Sequence, residues 1–67
     1  MEECNTQIVK ELRLNGGLAI ITKTVMENFV IYRGIIMAKN AHSITQDGAT
    51  LEEVLHETEC RLLDLTK

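Results

Sequence analysis

A well-marked helix start lies within residues 43–55, which read Ser-Ile-Thr-Gln-Asp-Gly-Ala-Thr-Leu-Glu-Glu-Val-Leu. Thr50 is placed to accept a hydrogen bond from the backbone amide of Glu53, and the Glu53 side chain is placed to return one to the Thr50 amide. This reciprocal arrangement is a capping box. The Asp47-Gly48 pair before it is typical of a turn. The stretch therefore predicts that a helix begins at Leu51.

Apolar residues recur at spacings of three and four after the cap, which indicates an amphipathic helix over residues 51–65. Glu52 and Glu53 lie in the first turn, where the positive end of the helix dipole favours carboxylates. Glu57 precedes Arg61 by four residues, in the orientation that supports a helix. The stripe that we expect to pack on the rest of the protein is Leu51, Val54, Leu55, Thr58, Leu62 and Leu65.

Upstream of this helix, turn residues separate stretches with the composition of strands. Asn15-Gly16-Gly17 favours a type I′ hairpin turn, which would join strands at about residues 7–14 and 18–25. A second turn near Met26-Glu27-Asn28 precedes the strongest strand signal, at about residues 29–38. A competing interpretation makes residues 5–14 a helix that is capped by Asn5 and terminated by Gly16, which would give an αββα order.

The 67 residues are expected to form a single α+β domain over residues 1–67. Its predicted architecture is a small antiparallel three-stranded meander packed on one C-terminal amphipathic helix. Residues 42–45 either add an edge strand or lead directly into the turn. A chain of this size buries only roughly 60% of its unfolded surface, so we expect association with other chains to assist its stability.

The third predicted strand is apolar on both faces. One helix covers one face of a sheet, so the other face is left for a partner. We assign the odd-numbered residues of 29–38 to one face and the even-numbered residues to the other, and expect the even set to be the uncovered one. The predicted interface residues are Ile21, Val30, Tyr32, Gly34 and Ile36. A homodimer that stacks two sheets or joins two edge strands would cover this apolar surface.

The formal net charge of −3 argues against simple attraction to nucleic acid, although the charge is unevenly distributed along the chain. The middle of the chain is basic and the predicted helix is acidic. The cations of the middle segment are Lys10, Arg13, Lys23, Arg33 and Lys39. The chain has no apolar run long enough to span a membrane, and Met1-Glu2-Glu3 does not resemble a signal peptide, so we expect a cytoplasmic protein.

The residues that could support chemistry are few. His56 and Cys60 stand four apart on the predicted helix and could share a metal ion, but Cys4 and His42, the other candidate ligands, are isolated in the sequence. No motif supplies a nucleophile with its base, an orienting group or a phosphate-binding loop. We therefore expect no catalytic residue, no metal site, no cofactor and no enzymatic activity.

Residues 44–55, from Ile44 to Leu55, resemble the end of the HicB-like antitoxin domain, in which a strand leads through an Asp and Gly turn into a helix that opens with Thr-Leu-Glu-Glu. The resemblance implies a small α+β domain of three strands and a helix that binds and blocks an RNA-cleaving toxin. The chain lacks the Pro-Asp-Leu-Pro-Gly-Cys segment of that family, and it has no room for the DNA-binding module that many members carry.

Two main classes of function remain. The first is a non-enzymatic protein-binding module, either an antitoxin-like inhibitor of a basic nuclease or a small phage or mobile-element protein that blocks a host factor. The second is a nucleic-acid binder that uses the basic strands through Lys10, Lys23, Arg33 and Lys39. A third possibility is an oligomer that binds a small ligand between stacked subunits.

Overall fold

Four antiparallel strands and one helix form the fold in a computed structural model that describes residues 5–39, 41–45 and 47–66. The sheet order follows the chain, β1-β2-β3-β4. This confirms the predicted α+β meander of three main strands packed on a C-terminal helix, and it adds a short fourth strand at the edge. The elements are β1 (Asn5–Leu14), β2 (Gly17–Val25), β3 (Val30–Met37), β4 (His42–Ile44) and α1 (Leu51–Leu65).

The first hairpin has the predicted tight turn. Asn15 and Gly16 adopt φ angles of 50° and 84°, as a type I′ turn requires at both central residues. Residues 5–14 pair with β2 along their length, so the helical interpretation of this segment is wrong. The register shifts between Ile8 and Lys10, which marks a β-bulge at Val9.

The edge formed by β4 continues beyond the strand itself. Thr45 donates its backbone N–H to Gly34 O at 2.9 Å, and its side-chain Oγ1 accepts from Gly34 N at 2.9 Å. Gly48 and Tyr32 then exchange both backbone hydrogen bonds, each at 2.9 Å. Thr45 and Gly48 are three positions apart on this edge, whereas their partners on β3, Gly34 and Tyr32, are two positions apart.

The helix begins at the predicted cap. Thr50 Oγ1 accepts from Glu53 N at 3.3 Å, and the Thr50 hydroxyl donates to Glu53 Oε1 at 2.9 Å. The Glu53 carboxylate thus bonds the Thr50 hydroxyl rather than the Thr50 amide. Glu57 accepts from Arg61 Nε at 3.1 Å, and Arg61 also donates to Ser43 Oγ at 3.2 Å, which connects the helix to β4.

The core lies between α1 and one face of the sheet. Val54, Thr58 and Leu62 are the buried side chains of the helix. Leu62 packs with Ala19 of β2 and Ile36 of β3, and the half-buried Leu12 and Leu14 of β1 extend this cluster. The small size of the core agrees with the expectation from chain length.

The face under the helix is the one that we expected to be open. Ile21 and Ile36 are fully buried there, Gly34 is buried between them and α1, and Val30 and Tyr32 lie half-buried further along the same face. The assignment of these five residues to the uncovered face is therefore wrong. The helix packs on this face because Gly34 offers no side chain at the point of closest approach.

Gly34 and Thr58 form the closest approach between helix and sheet. A methyl group built on Gly34 would overlap Thr58 Oγ1, and it would lie 3.1 Å from Thr45 Cγ2. Thr58 has no exposed surface. Its hydroxyl has no hydrogen-bond partner among the described residues. The helix position therefore depends on the missing side chain at Gly34 more than on any polar bond from Thr58.

We expect Gly34→Ala to lower the free energy of unfolding by about 1–3 kcal/mol, because the added methyl group overpacks the contact. In a Thr58→Ala background the same change should cost less, because the overlapping hydroxyl is gone. Urea denaturation of the two single variants and the double variant measures this coupling. Thr24→Ala, which removes a threonine distant from the contact, is the control background. In it Gly34→Ala should cost as much as it does in wild type. An equal cost of Gly34→Ala in all backgrounds would contradict this explanation.

Candidate interaction surface

The face of the sheet opposite α1 has no covering element in the part of the chain that the structure describes. We call it the open face. Side chains alternate between faces along each strand, so this surface carries the residues that lie between the buried ones. Its apolar side chains include Ile8, Leu18, Ile20, Ile31, Ile35, Met37 and Ile44.

The apolar residues of the open face are contiguous across three strands. Ile35 of β3 pairs with Ile20 of β2 on one side and with Ile44 of β4 on the other. Leu18 and Met37 pair directly and lie beside this row. Ile44 is 61% exposed and Met37 is 38% exposed, while Leu18, Ile20 and Ile35 are half-buried. A connected apolar surface of this kind is typical of an interface rather than of scattered surface residues.

The charged side chains of the open face are arranged in ion pairs. Arg33 binds Asp47 through two hydrogen bonds, Nε to Oδ1 at 2.7 Å and Nη2 to Oδ2 at 3.1 Å. Arg13 Nε lies 3.3 Å from Glu11 Oε1 on the rim formed by β1. Each arginine of this face is therefore paired with a carboxylate, and the surface presents little net charge.

The bond between Arg33 and Asp47 changes the acidity of both groups. The side-chain hydrogen bond from Arg33 is the main cause that holds the pKa of Asp47 below its ordinary value, and the cationic charge adds to it. The same hydrogen bond raises the pKa of Arg33. Both side chains are well exposed, so water weakens the contribution of this pair to stability.

A cleft of about 310 Å³ lies at the threonine-rich end of the open face. Thr6 and Thr24 share a hydrogen bond of 3.1 Å between their hydroxyls, and Thr22 donates to Arg33 O at 3.4 Å. None of the described residues that line the cleft is a histidine, a cysteine or a carboxylate. These residues are Thr6, Thr22, Thr24, Met26, Ile31, Arg33 and Ile35. Threonine, arginine and apolar side chains suit contact with another molecule better than acid, base or nucleophilic catalysis.

The basic residues of the nucleic-acid interpretation do not come together. Lys10 and Lys23 pair with Ile21 and Tyr32 and so lie on the helix side of the sheet. Arg33 lies on the open face and is held by Asp47, and Lys39 follows the end of β3. The four side chains therefore form no common positive surface.

The candidate ligands for a metal are also dispersed. On α1 the distance between Cys60 Sγ and His56 Nε2 is 3.8 Å, and both residues are exposed. His42 lies in β4, and Cys4 is outside the described residues. No group of three or more histidine, cysteine, aspartate or glutamate side chains within residues 5–39, 41–45 and 47–66 could hold a metal ion.

Comparison with known proteins returns no relative: no protein-family model, curated protein or solved structure matches the chain. The likeness of residues 44–55 to the HicB-like antitoxin domain therefore stays a prediction. No helix in the described segments is long and apolar enough to cross a membrane.

We expect Asp47→Asn to lower stability at neutral pH and to have no effect in strong acid. A carboxylate whose folded pKa is depressed stabilises the fold above its unfolded pKa of about 3.9. This contribution is lost as the pH falls through the lower folded pKa. Thermal midpoints of wild type and Asp47→Asn, measured from neutral to acidic pH, should therefore converge at the acidic end.

Glu27→Gln is the matched control for this pH series, because Glu27 lies in the turn between β2 and β3 and forms no ion pair with a described residue. Its midpoints should follow those of the wild type throughout. A difference between Asp47→Asn and wild type that stays constant with pH would contradict the role of this ion pair.

Proposed function

We propose that this protein is a small, non-enzymatic protein-binding module that binds a partner protein through its open face. The observation that carries this proposal is the connected apolar row of Ile20, Ile35 and Ile44, on a surface whose arginines are already paired with carboxylates. A surface that is apolar and close to neutral complements an apolar protein surface.

The chemistry of the open face favours a protein over a nucleic acid. Proteins that bind nucleic acid neutralise phosphates with lysine and arginine side chains, and most of their affinity depends on these contacts. Here Arg33 is engaged by Asp47 and Arg13 by Glu11. A phosphate bound at either arginine would lie close to the neighbouring carboxylate, which repels it.

The role that we propose for this contact is inhibition. A protein-binding module can inhibit its partner by covering part of the partner's surface. The likeness of residues 44–55 to the HicB-like antitoxin domain supports an antitoxin-like form of this role. The outer side of α1, where Glu52, Glu57 and Glu59 are exposed, points away from the open face and stays in water.

The open face is tested by placing a photoreactive amino acid at Ile20 and, as the matched control, at Glu57 on the outer side of α1. After irradiation in the producing cell, we expect a discrete cross-linked protein from position 20 and none from position 57. The cross-linked protein is then identified, purified and titrated with the unmodified chain. A cross-link of equal yield from both positions, or from neither, would overturn the proposal.

The second arm of this test measures the affinity for the purified partner. Ile35→Lys places a charge in the centre of the apolar row and should weaken binding by at least about tenfold, because a desolvated, unpaired charge is costly at an interface. Glu57→Lys should leave binding unchanged. Equal affinity of Ile35→Lys and wild type would show that the partner does not use the open face.

A further inference from the structure

Among the described residues, no strand pairs with the outer edge of β1. In an antiparallel pair, alternate residues direct their backbone groups to the neighbouring strand and the residues between them direct theirs outward. Leu14 and Gly17 flank the two-residue turn and so form its hydrogen-bonded pair, and Leu12 and Ala19 form the next. Glu11 and Arg13 therefore present their N–H and C=O groups to the outside.

The bulge at Val9 divides β1 into two parts. Residues 5–9 lie before or at the irregularity, whereas residues 10–14 form a regular strand next to β2. Bulges make an edge unsuitable for pairing because they break the register of the ladder. The regular part of the edge is therefore the stretch Lys10–Leu14.

We propose that two copies of the chain pair through this edge as antiparallel strands, with Leu12 on the two-fold axis. In this register Glu11 lies directly opposite the partner's Arg13, and Arg13 lies opposite the partner's Glu11. Both are hydrogen-bonded pairs, which use the outward backbone groups of these residues. Each also places opposite charges across from one another, an arrangement that stabilises neighbouring strands.

The same register brings together the apolar surfaces of the two copies on the helix side of the sheet. A cleft of about 230 Å³ runs between β1 and the C-terminal half of α1, and its apolar lining is Leu12, Leu14, Leu62 and Leu63. Leu63 is 50% exposed beside this edge. A second β1 strand would extend the floor of the cleft, and the leucines at the axis would cover one another.

The paired copies would form one continuous eight-stranded sheet with both helices on one side and both open faces on the other. This assembly does not depend on the protein-binding role of the open face, because its contacts lie at the edge of β1. Each proposal can therefore fail without the other.

Analytical ultracentrifugation of wild type, Glu11→Arg and Arg13→Glu tests the pairing. Wild type should be a dimer, and each single variant should dimerise at least about tenfold more weakly, because like charges replace opposite charges on both sides of the axis. Glu27→Arg, in the turn between β2 and β3, is the control and should dimerise as wild type does. A monomeric wild type, or single variants that dimerise normally, would overturn the proposal.

Mixing the two single variants separates contacts between chains from contacts within one chain. In the mixture every charge of one variant faces the opposite charge of the other, so a one-to-one heterodimer should form. The bond between Glu11 and Arg13 within each chain remains broken, so a purely structural defect would not be repaired. Failure of the heterodimer to form between folded variants, as checked by circular dichroism, would overturn the proposal.

A disulfide cross-linking experiment tests the position of the two-fold axis. It does not depend on the folding of the charge variants. In a chain with Cys4→Ser and Cys60→Ser, Leu12→Cys should cross-link on mild oxidation. Residues opposite one another in a non-hydrogen-bonded pair are about 4.5 Å apart at Cα, which suits a disulfide. Leu14→Cys, which lies opposite the partner's Lys10, should cross-link far more slowly. Equal rates for the two cysteines, or no cross-link at Leu12→Cys, would contradict this register.

Discussion

The contact between Gly34 and Thr58 is the constraint on which the rest of this structure depends. Gly34 leaves space for the helix to reach the sheet, and Thr58 occupies that space. The backbone of Gly34 is also held on its other side by Thr45, whose hydroxyl accepts from the Gly34 amide. One residue without a side chain therefore positions both α1 and the edge beyond β4. It also determines which face of the sheet stays open.

Features that depend on neighbours in the chain could be predicted from the sequence. Thr50 and Glu53 mark the helix start through a local hydrogen-bonding pattern, and the helix spans Leu51–Leu65 as its periodicity indicates. Asn15 and Gly16 adopt positive φ angles because few other residues do so at low cost. These signals need no knowledge of tertiary packing, so they identify the meander and the helix correctly.

The choice of face could not be read from hydropathy, because both faces of β3 are apolar. Ile31, Ile35 and Met37 on one face are as apolar as Val30 and Ile36 on the other. The deciding signal was Gly34, since a glycine inside a strand marks a close approach by another part of the chain. The approaching residue is Thr58, which we expected on the packed stripe of the helix. Its position in the sequence does not indicate that it contacts Gly34.

The charges of the candidate surface illustrate the same limit. Along the sequence the basic middle and the acidic helix are separate, yet Arg33 is paired with Asp47, which lies beyond β4. Asp47 lies next to Gly48, which bonds Tyr32 of β3, and no local pattern in the sequence indicates this register. The basic residues of the middle segment therefore lie on both faces of the sheet. The surface that remains for a partner is apolar.

The order of the strands has a consequence for synthesis on the ribosome. Each strand pairs with the next one in the chain, so the sheet closes through contacts of short sequence separation, a topology that favours rapid folding. The helix that covers Ile21 and Ile36 is made after all of the strands. Until α1 emerges, any sheet that the nascent strands form is apolar on both uncovered faces, which favours aggregation.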